Sequence, residues 1–287
     1  MSAKAHTIEN LSAFNSDQTA APRILIDAHV HIYDCFDVEK LLAAAWRNFH
    51  SSAGGSTNFT GILLLTETLK HDWFSRISAQ ISEQTNHQLA IGEWMVLPTA
   101  EAGSLKAVDS QGKQLFIIAG RQIITAEKLE VLALITDQIP VDGLSLVDTI
   151  QAVQAAGGIP VLPWAVGKWI GERGKLVEQW LKNNPDSPVF LGDNSGRPQF
   201  WSRPSYFQIA EQQRQKVLPG TDPLPLATEA TRPGSFGLSM KGSIDPQTPG
   251  KALKSMLLDP QASWQAYGKL ETSWRFLRNQ AAIRTKR

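Results

Sequence analysis

Asp27-Ala28-His29-Val30-His31 sets one carboxylate and two imidazoles at alternate positions directly after the apolar run Ile24-Leu25-Ile26. Alternate residues of an extended strand point to one side, so the spacing predicts all three side chains on one face near the carboxyl end of a strand. Two imidazoles at i and i+2 can close on one divalent cation, and Asp27 can orient one of them. The same spacing also suits two partly buried histidines paired with carboxylates. What favours a cation is the company they keep. Glu67 follows Leu63-Leu64-Leu65, Asp193 follows Phe190-Leu191-Gly192, and Asp222 follows Leu218-Pro219-Gly220-Thr221. Each alone would serve as a turn former or helix cap. Gathered at one end of a sheet they would repel one another unless a cation or protons neutralised them.

A second group follows later strands: Lys168 and Arg173 after Trp164, then Arg197 and Arg203 around Trp201. Lysine and arginine at strand ends suit an anionic substrate, arginine through two parallel hydrogen bonds to phosphate or carboxylate. Lys168, Arg197 and Arg203 are therefore candidate substrate contacts. The alternative is solvated charge with tryptophans covering the strand ends, and Arg173 is read that way. His50, His71 and His87 have no partner at ligand spacing, and Cys35, with no activating base, reads as a buried free thiol. Ser195, in Asp193-Asn194-Ser195-Gly196, lacks the G-x-S-x-G elbow of a serine triad.

The elements that must position these residues alternate. Buried strands are expected at Ile24–Ile26, Gly61–Leu65, Leu129–Ile135, Ile159–Leu162, Val189–Leu191 and, as the last, Val217–Leu218. Between them fall helices: one capped by Asp37 and one through Trp73 and Ile81. A third is capped by Ser145 with Asp148 three residues on, and a fourth runs through Leu176 and Trp180. Glu93–Leu97, Leu105–Val108 and Gln114–Ala119 suggest an inserted hairpin. Residues 227–250, dense in glycine and proline, read as loop, and a last helix is expected from Asp259 through Trp264, Tyr267, Leu270, Trp274 and Leu277. Trp46, Trp73, Trp180 and Trp274 fall on helical stripes and are expected in the core. Strand–helix alternation at this length favours a parallel sheet, closed as a barrel or wound open. No glycine-rich phosphate loop follows a strand, which argues against nucleotide binding.

The 287 residues, 42% hydrophobic and 19% charged, can bury one large core. A net charge of +1 and a pI near 7.9 lack the basic excess of a nucleic-acid binder, so no nucleic acid partner is expected. The first 21 residues lack the apolar core of a signal peptide, and no run is long and apolar enough to span a bilayer. One cysteine excludes an internal disulfide, so a soluble cytoplasmic protein is expected. Residues 1–22 are expected as a mobile arm and 23–287 as one domain with a C-terminal helix.

Over residues 24–226 the sequence resembles the polymerase-and-histidinol-phosphatase (PHP) superfamily of metal-dependent phosphoesterases. The family's opening D-x-H-x-H strand is matched by Asp27-Ala28-His29-Val30-His31, its T-D-H by Thr66-Glu67-Thr68, and its G-x-E with a following threonine by Gly120-Arg121-Gln122 and Thr125. The unit from Ser145 through Ala156-Gly157-Gly158-Ile159-Pro160-Val161-Leu162 is similar to a family helix and strand. Gly220-Thr221-Asp222-Pro223-Leu224 is similar to G-S-D-A-H. The resemblance implies a (β/α)7-type distorted TIM-like barrel and metal-dependent hydrolysis of a phosphoester. The departures are specific: Thr68, Glu130, Trp164 and Leu224 stand where the family carries histidine, so a trinuclear cluster is not expected. The resemblance then implies one divalent cation, zinc, manganese or iron, held by His29, His31 and Asp222, with Gln122 as a neutral ligand in place of glutamate. Glu67, Glu130 and Asp193 remain for a second oxygen-rich site or for proton transfer. Hydrolysis of an amide, and a barrel that only binds a small anionic ligand or a partner, are the competing expectations.

Overall fold

The run Ile24-Leu25-Ile26 opens β1 (Arg23–Val30), buried along almost its whole length, in a computed structural model that describes residues 21–285. Of the arm expected over residues 1–22, all but Ala21 and Pro22 lies outside the described residues, as do Lys286 and Arg287. As the sequence predicts, the Asp37 carboxylate accepts from the Lys40 amide (3.1 Å) and starts α1 (Val38–Ser52). There follow β2 (Phe59–Leu65), α2 (Trp73–Glu83), β3 (Leu89–Ile91), β4 (Trp94–Pro98), β5 (Ser104–Asp109), β6 (Gln114–Ile118), β7 (Gly120–Ile124) and β8 (Glu130–Leu134). Ser145 caps α3 (Leu146–Ala155), accepting from the Asp148 amide (3.1 Å) and donating to its carboxylate (2.7 Å). The chain continues through β9 (Ile159–Pro163), α4 (Glu172–Asn183), β10 (Phe190–Asn194), α5 (Ser205–Gln212), β11 (Val217–Gly220) and a 3₁₀ turn at Ala227–Thr231. It ends with β12 (Phe236–Lys241), α6 (Pro249–Leu258), β13 (Gln265–Gly268) and α7 (Ser273–Thr285).

The strands form two sheets, ordered β13-β12-β1-β2-β6-β5-β4-β3 and β11-β10-β9-β8-β7. An apolar layer of Ile26, Ile62, Leu64, Ile118, Leu132, Val161 and Leu238 fills the space between them, and Leu253 and Leu257 of α6 join it. Leu63, Leu65, Trp94 and Val96 pack the larger sheet on α1 and α2. Ile123, Val131 and Leu191 pack the smaller one on α3, α4 and α5. The sheets meet along two lines. Past β2, the Glu67 amide donates to Gly120 (3.1 Å), and the Gln122 amide donates to the Glu67 carbonyl (2.8 Å). On the other side the amide of Asp222, just past β11, donates to the carbonyl of His29 (2.8 Å). Among the described residues no helix is long and apolar enough to cross a membrane.

Strand direction departs from the expected all-parallel arrangement. Parallel pairs are β1–β2, β2–β6, β9–β10 and β10–β11, whereas β7–β8, β8–β9, β1–β12 and all of β3 to β6 pair antiparallel. The connections explain it. A parallel neighbour needs a crossover of about a dozen residues or more, and only Thr125–Leu129 separate β7 from β8. The expected hairpin insertion is present and extends the larger sheet beneath α2. Its loop also fixes α6, because Glu101 accepts from the amides of Gly250 and Lys251 at that helix's start.

Two expectations near the C-terminus are corrected. Residues 227–250 hold β12 and the start of α6 rather than loop alone. The glycine that disguises β12, Gly237, is there because a Cβ would lie 2.0 Å from the Ile26 carbonyl of β1. Gln265–Gly268 is a strand paired with β12, so no helix runs from Asp259; α7 begins only at Ser273. Its Trp274 is 76% exposed and not core, while Trp73 and Trp180 are buried and Trp46 partly so. Cys35 is exposed, not buried.

Candidate metal centre

The pairing of β1 with β2 slips by one residue between Asp27 and Val30: Asp27 faces Leu63 and Val30 faces Leu65. Three residues advance against two, which is a β-bulge, and a bulge reverses the facing of everything beyond it. Asp27 and Val30 therefore point toward α1, with Leu63 and Leu65, while His29 and His31 turn to the inner side. The expectation of one shared face for Asp27, His29 and His31 is corrected by this slip. Asp27 does not orient an imidazole. Its buried carboxylate accepts from the amides of Thr221 (2.8 Å), Gly234 (2.8 Å) and His29 (3.3 Å) and from the Thr221 hydroxyl (2.6 Å). It thus ties β1 to the end of β11, and burial outweighs these bonds in raising its carboxyl to about 7.

That tie delivers Asp222 to the histidines. The His29 and His31 Nε2 atoms lie 3.1 Å apart, and Asp222 Oδ1 lies 3.4 Å from the first and 3.5 Å from the second. Both imidazoles are about 4% exposed. The other carboxylate oxygen of Asp222 accepts from Asn194 Nδ2 (2.9 Å), which also donates to the Trp164 carbonyl (2.7 Å). Asp222 adopts φ 48°, a left-handed conformation uncommon outside glycine, and a place where strain often accompanies function. β11 can come this close to β1 because of Gly220, where a Cβ would sit 2.3 Å from the His29 amide nitrogen.

Burial lowers the His29 imidazole to about 4, opposed by Asp222 and by a hydrogen bond with Gln122, so His29 is neutral at pH 7. For Asp222 burial works upward. His29, His31 and Arg232 outweigh it and hold the carboxyl at about 2. Two imidazole nitrogens and one carboxylate oxygen converge. Ligands about 2.0–2.2 Å from a tetrahedral ion stand roughly 3.3–3.6 Å apart, and the three observed separations come close to that. The donor set fits a borderline divalent cation. His29, His31 and Asp222 form the one group among the described residues whose ligand atoms all fall within 4.8 Å of each other. Gln122, on β7, joins them through its hydrogen bond with His29.

The other predicted residues are spoken for by one another. Glu67 accepts from the amides of Trp73 and Phe74 (both 2.9 Å) at the start of α2. Glu130 pairs with Lys168 (3.0 Å). Asp193 receives two bonds from Arg197 (2.8 and 3.0 Å), and Arg203 binds Glu211 through both its terminal nitrogens. The pooled repulsion inferred from the sequence is thus relieved pair by pair, and Asp222 alone among these carboxylates joins the histidines. Arg173, read from the sequence as solvated charge, donates to the backbone carbonyls of Gly167 (2.8 Å) and Lys128 (3.4 Å). Trp164 and Leu224, two of the residues at histidine positions of the resemblance, share a cavity wall with Asp222.

Glu67 carries a pH prediction. Burial raises its carboxyl to about 7, against its two backbone bonds. The folded state then holds the proton more tightly than the unfolded chain. This contribution to stability is complete below about 4.5, the ordinary carboxyl value, and is lost as pH rises through about 7. In chelator-treated protein, Glu67→Gln should flatten that part of the decline in melting temperature between pH 4.5 and 7. Identical profiles for parent and variant would contradict it.

Several neighbours carry no motif. Tyr33 stacks on His31 (5.4 Å between centroids) and meets His71 edge-on. Burial raises its phenol, and the charges of Asp222 and Glu130 add to the rise. Arg232 bonds Glu271 (2.5 Å), Glu229 (3.2 Å) and Ser195 Oγ (2.5 Å). Arg275 (2.9 Å) and Asn279 (3.2 Å) of α7 also bond Glu229. These residues come from the stretch read as loop and from a helix whose stripe pointed elsewhere.

No protein-family model and no curated protein matches the sequence. Among solved structures, the fold is similar to a two-domain protein containing a predicted PHP-like metal-dependent phosphoesterase from Bacteroides vulgatus ATCC 8482. The TM-score there is 0.45 at 12% identity, over 87% of this chain and 65% of that one. Endonuclease Q, in complex with a 27-mer duplex substrate with an abasic lesion, is similar at TM-score 0.43 and 10% identity, over 81% of this chain and 57% of that one. PsfC from Pseudomonas syringae PB-5123 is similar at TM-score 0.52 and 13% identity, over 92% of this chain and 99% of that one. The likeness to PsfC, spanning nearly the whole of both chains, is one of fold.

Proposed function

We propose that this chain is a metal-dependent hydrolase of a small anionic ester, with phosphoesters the leading class. The observation that carries the reading is the convergence of His29 Nε2, His31 Nε2 and Asp222 Oδ1 from strand ends far apart in sequence. We read the two sheets as one distorted barrel of seven strands, β1, β2, β7, β8, β9, β10 and β11, closed by the contacts of Glu67 with β7 and of Asp222 with β1. The centre then lies at the carboxyl ends of its parallel strands, where barrel enzymes keep their sites.

A divalent cation held by His29, His31 and Asp222, with Gln122 alongside, would supply Lewis acidity toward water and toward the ester oxygens. The chain's own residues do the rest. Asn194 fixes the Asp222 carboxylate so that one oxygen faces the imidazoles. Lys168 holds Glu130 in place (3.0 Å), and Glu130 is the residue assigned as proton acceptor. Glu67 and Asp193 are held by α2 and Arg197, and their part is to fix the strand ends. Lys168, Arg197 and Arg203 are the proposed contacts for the anionic group, which would compete for them with Glu130, Asp193 and Glu211. Hydrolysis adds water across the ester bond, releasing the alcohol with a proton and the acid as its anion.

The apolar Trp164 and Leu224 beside Asp222 favour a second reading, a barrel that binds an anionic ligand without turning it over. Protein stripped with chelator and titrated with zinc, manganese or iron(II) separates them when followed by a panel of phosphomonoesters, phosphodiesters and cyclic amides. Uptake near one cation per chain, with turnover of one ester class that falls about 100-fold or more in Asp222→Asn, is the expected result. Uptake without turnover of any class, or no uptake at all, would favour the binding reading and end the hydrolase reading.

A further inference from the structure

Asp222 belongs to two places at once: the candidate centre, and the wall of a cavity of about 140 Å³ between the strand ends and α7. Trp164 and Leu224 line the strand side, Phe276 and Asn279 the helix side, and Arg232 the wall between. Whatever fills this space touches the residue that faces the histidines.

Size limits the occupant. A cavity of about 150 Å³ accommodates benzene, so one ring fits here and a base joined to a sugar does not. Charge limits it further. The charged residues that line it are Arg232, Glu271 and Asp222, and Arg232 bonds Glu271 (2.5 Å). The one positive group is thus matched by Glu271, and Asp222 adds a negative charge, which leaves no unpaired positive charge to hold a second anion. Aromatic side chains on both sides, Trp164 and Phe276, with an amide at Asn279, make a mostly apolar slot with a few fixed polar groups.

We propose that this cavity recognises the alcohol portion of the substrate and that this portion is a single uncharged ring, its ester group facing the centre. The inference rests on the hydrolase reading above. It places α7, outside every motif in the sequence, in substrate selection.

Calorimetric titration of the cation-loaded full chain with methyl phosphate, phenyl phosphate and a purine nucleoside monophosphate tests it. Phenyl phosphate should bind about tenfold more tightly than methyl phosphate, and the nucleotide no more tightly than methyl phosphate. Phe276→Ala, which removes a half-buried ring, should cut phenyl phosphate affinity by about tenfold with cation content retained. Ala165→Phe, which fills the cavity, should do the same. Equal affinity for the methyl and phenyl esters, or a preference surviving both variants, would overturn the cavity assignment and leave the metal centre standing. A readout independent of the centre is phenol with cation-free protein. It should raise the melting temperature of the parent but not of Phe276→Ala, and no rise in the parent would also overturn the assignment.

Discussion

Replacing His29 by alanine should strip the protein of its divalent cation. His29 Nε2 is one of three convergent donors, within 3.1 Å of His31 and 3.4 Å of Asp222. Loss of a residue that merely orients a ligand costs about 10–100-fold in metal affinity, and loss of the ligand itself should exceed that. Elemental analysis should show about one cation per chain in the parent and less than about a tenth of one in the variant. His87→Ala, on an exposed loop residue, is the control that should keep its cation. The fold should survive, because burial already lowers His29 to about 4 and no charge pair is broken when its neutral imidazole is removed. A His29→Ala protein with full cation content would show that the imidazoles face each other for packing alone.

Asp27→Ala should damage the fold more than any other substitution near the centre, although Asp27 touches no candidate ligand side chain. Its carboxylate is the acceptor for buried donors on Thr221, Gly234 and His29. Each buried donor left without a partner costs about 1–3 kcal/mol, and partial relaxation brings the expected total to about 3–5 kcal/mol. At about 2–4 °C per kcal/mol for a chain of this size, the melting temperature should fall by roughly 10 °C. Thermal unfolding of chelator-treated parent and variant measures it. Asp27→Asn should fall between them, since whichever oxygen becomes an amide then confronts an N–H donor. A second consequence follows from position: Thr221 precedes Asp222, so the variant should also bind its cation more weakly. Unchanged melting together with unchanged cation affinity would refute the role of Asp27 as a tie between β1 and β11.

The contrast between Asp27 and His29 shows how far the chain's pattern could be read. Strand positions, the Asp37 and Ser145 caps and the inserted hairpin follow from local rules: runs of apolar residues seek burial, and side-chain oxygens seek the free amides of a helix start. The likeness of Asp27-Ala28-His29-Val30-His31 and Gly220-Thr221-Asp222 to known motifs named the residues that meet. Their facing was another matter. Alternation holds only while the ladder stays in register, and a one-residue slip against β2, invisible in the β1 sequence, sent Asp27 outward and the histidines inward.

The amino-acid order thus determined most of the extended and helical segments as far as Gly220, and that two imidazoles follow a buried strand. Only tertiary structure decided which charges belong together. Glu130 lies next to Lys168, and Arg232 next to Glu271, because strands and loops bring their ends within 3.0 and 2.5 Å. Coulomb attraction at that range overrides any grouping by type along the chain. The same holds for β12, whose glycines look like loop until a neighbouring strand gives them a partner, and for the polar residues of α7, Arg275 and Asn279, which find Glu229. Long-range contact is what a local pattern cannot encode, because its free energy depends on a surface that does not exist until the rest of the chain has folded.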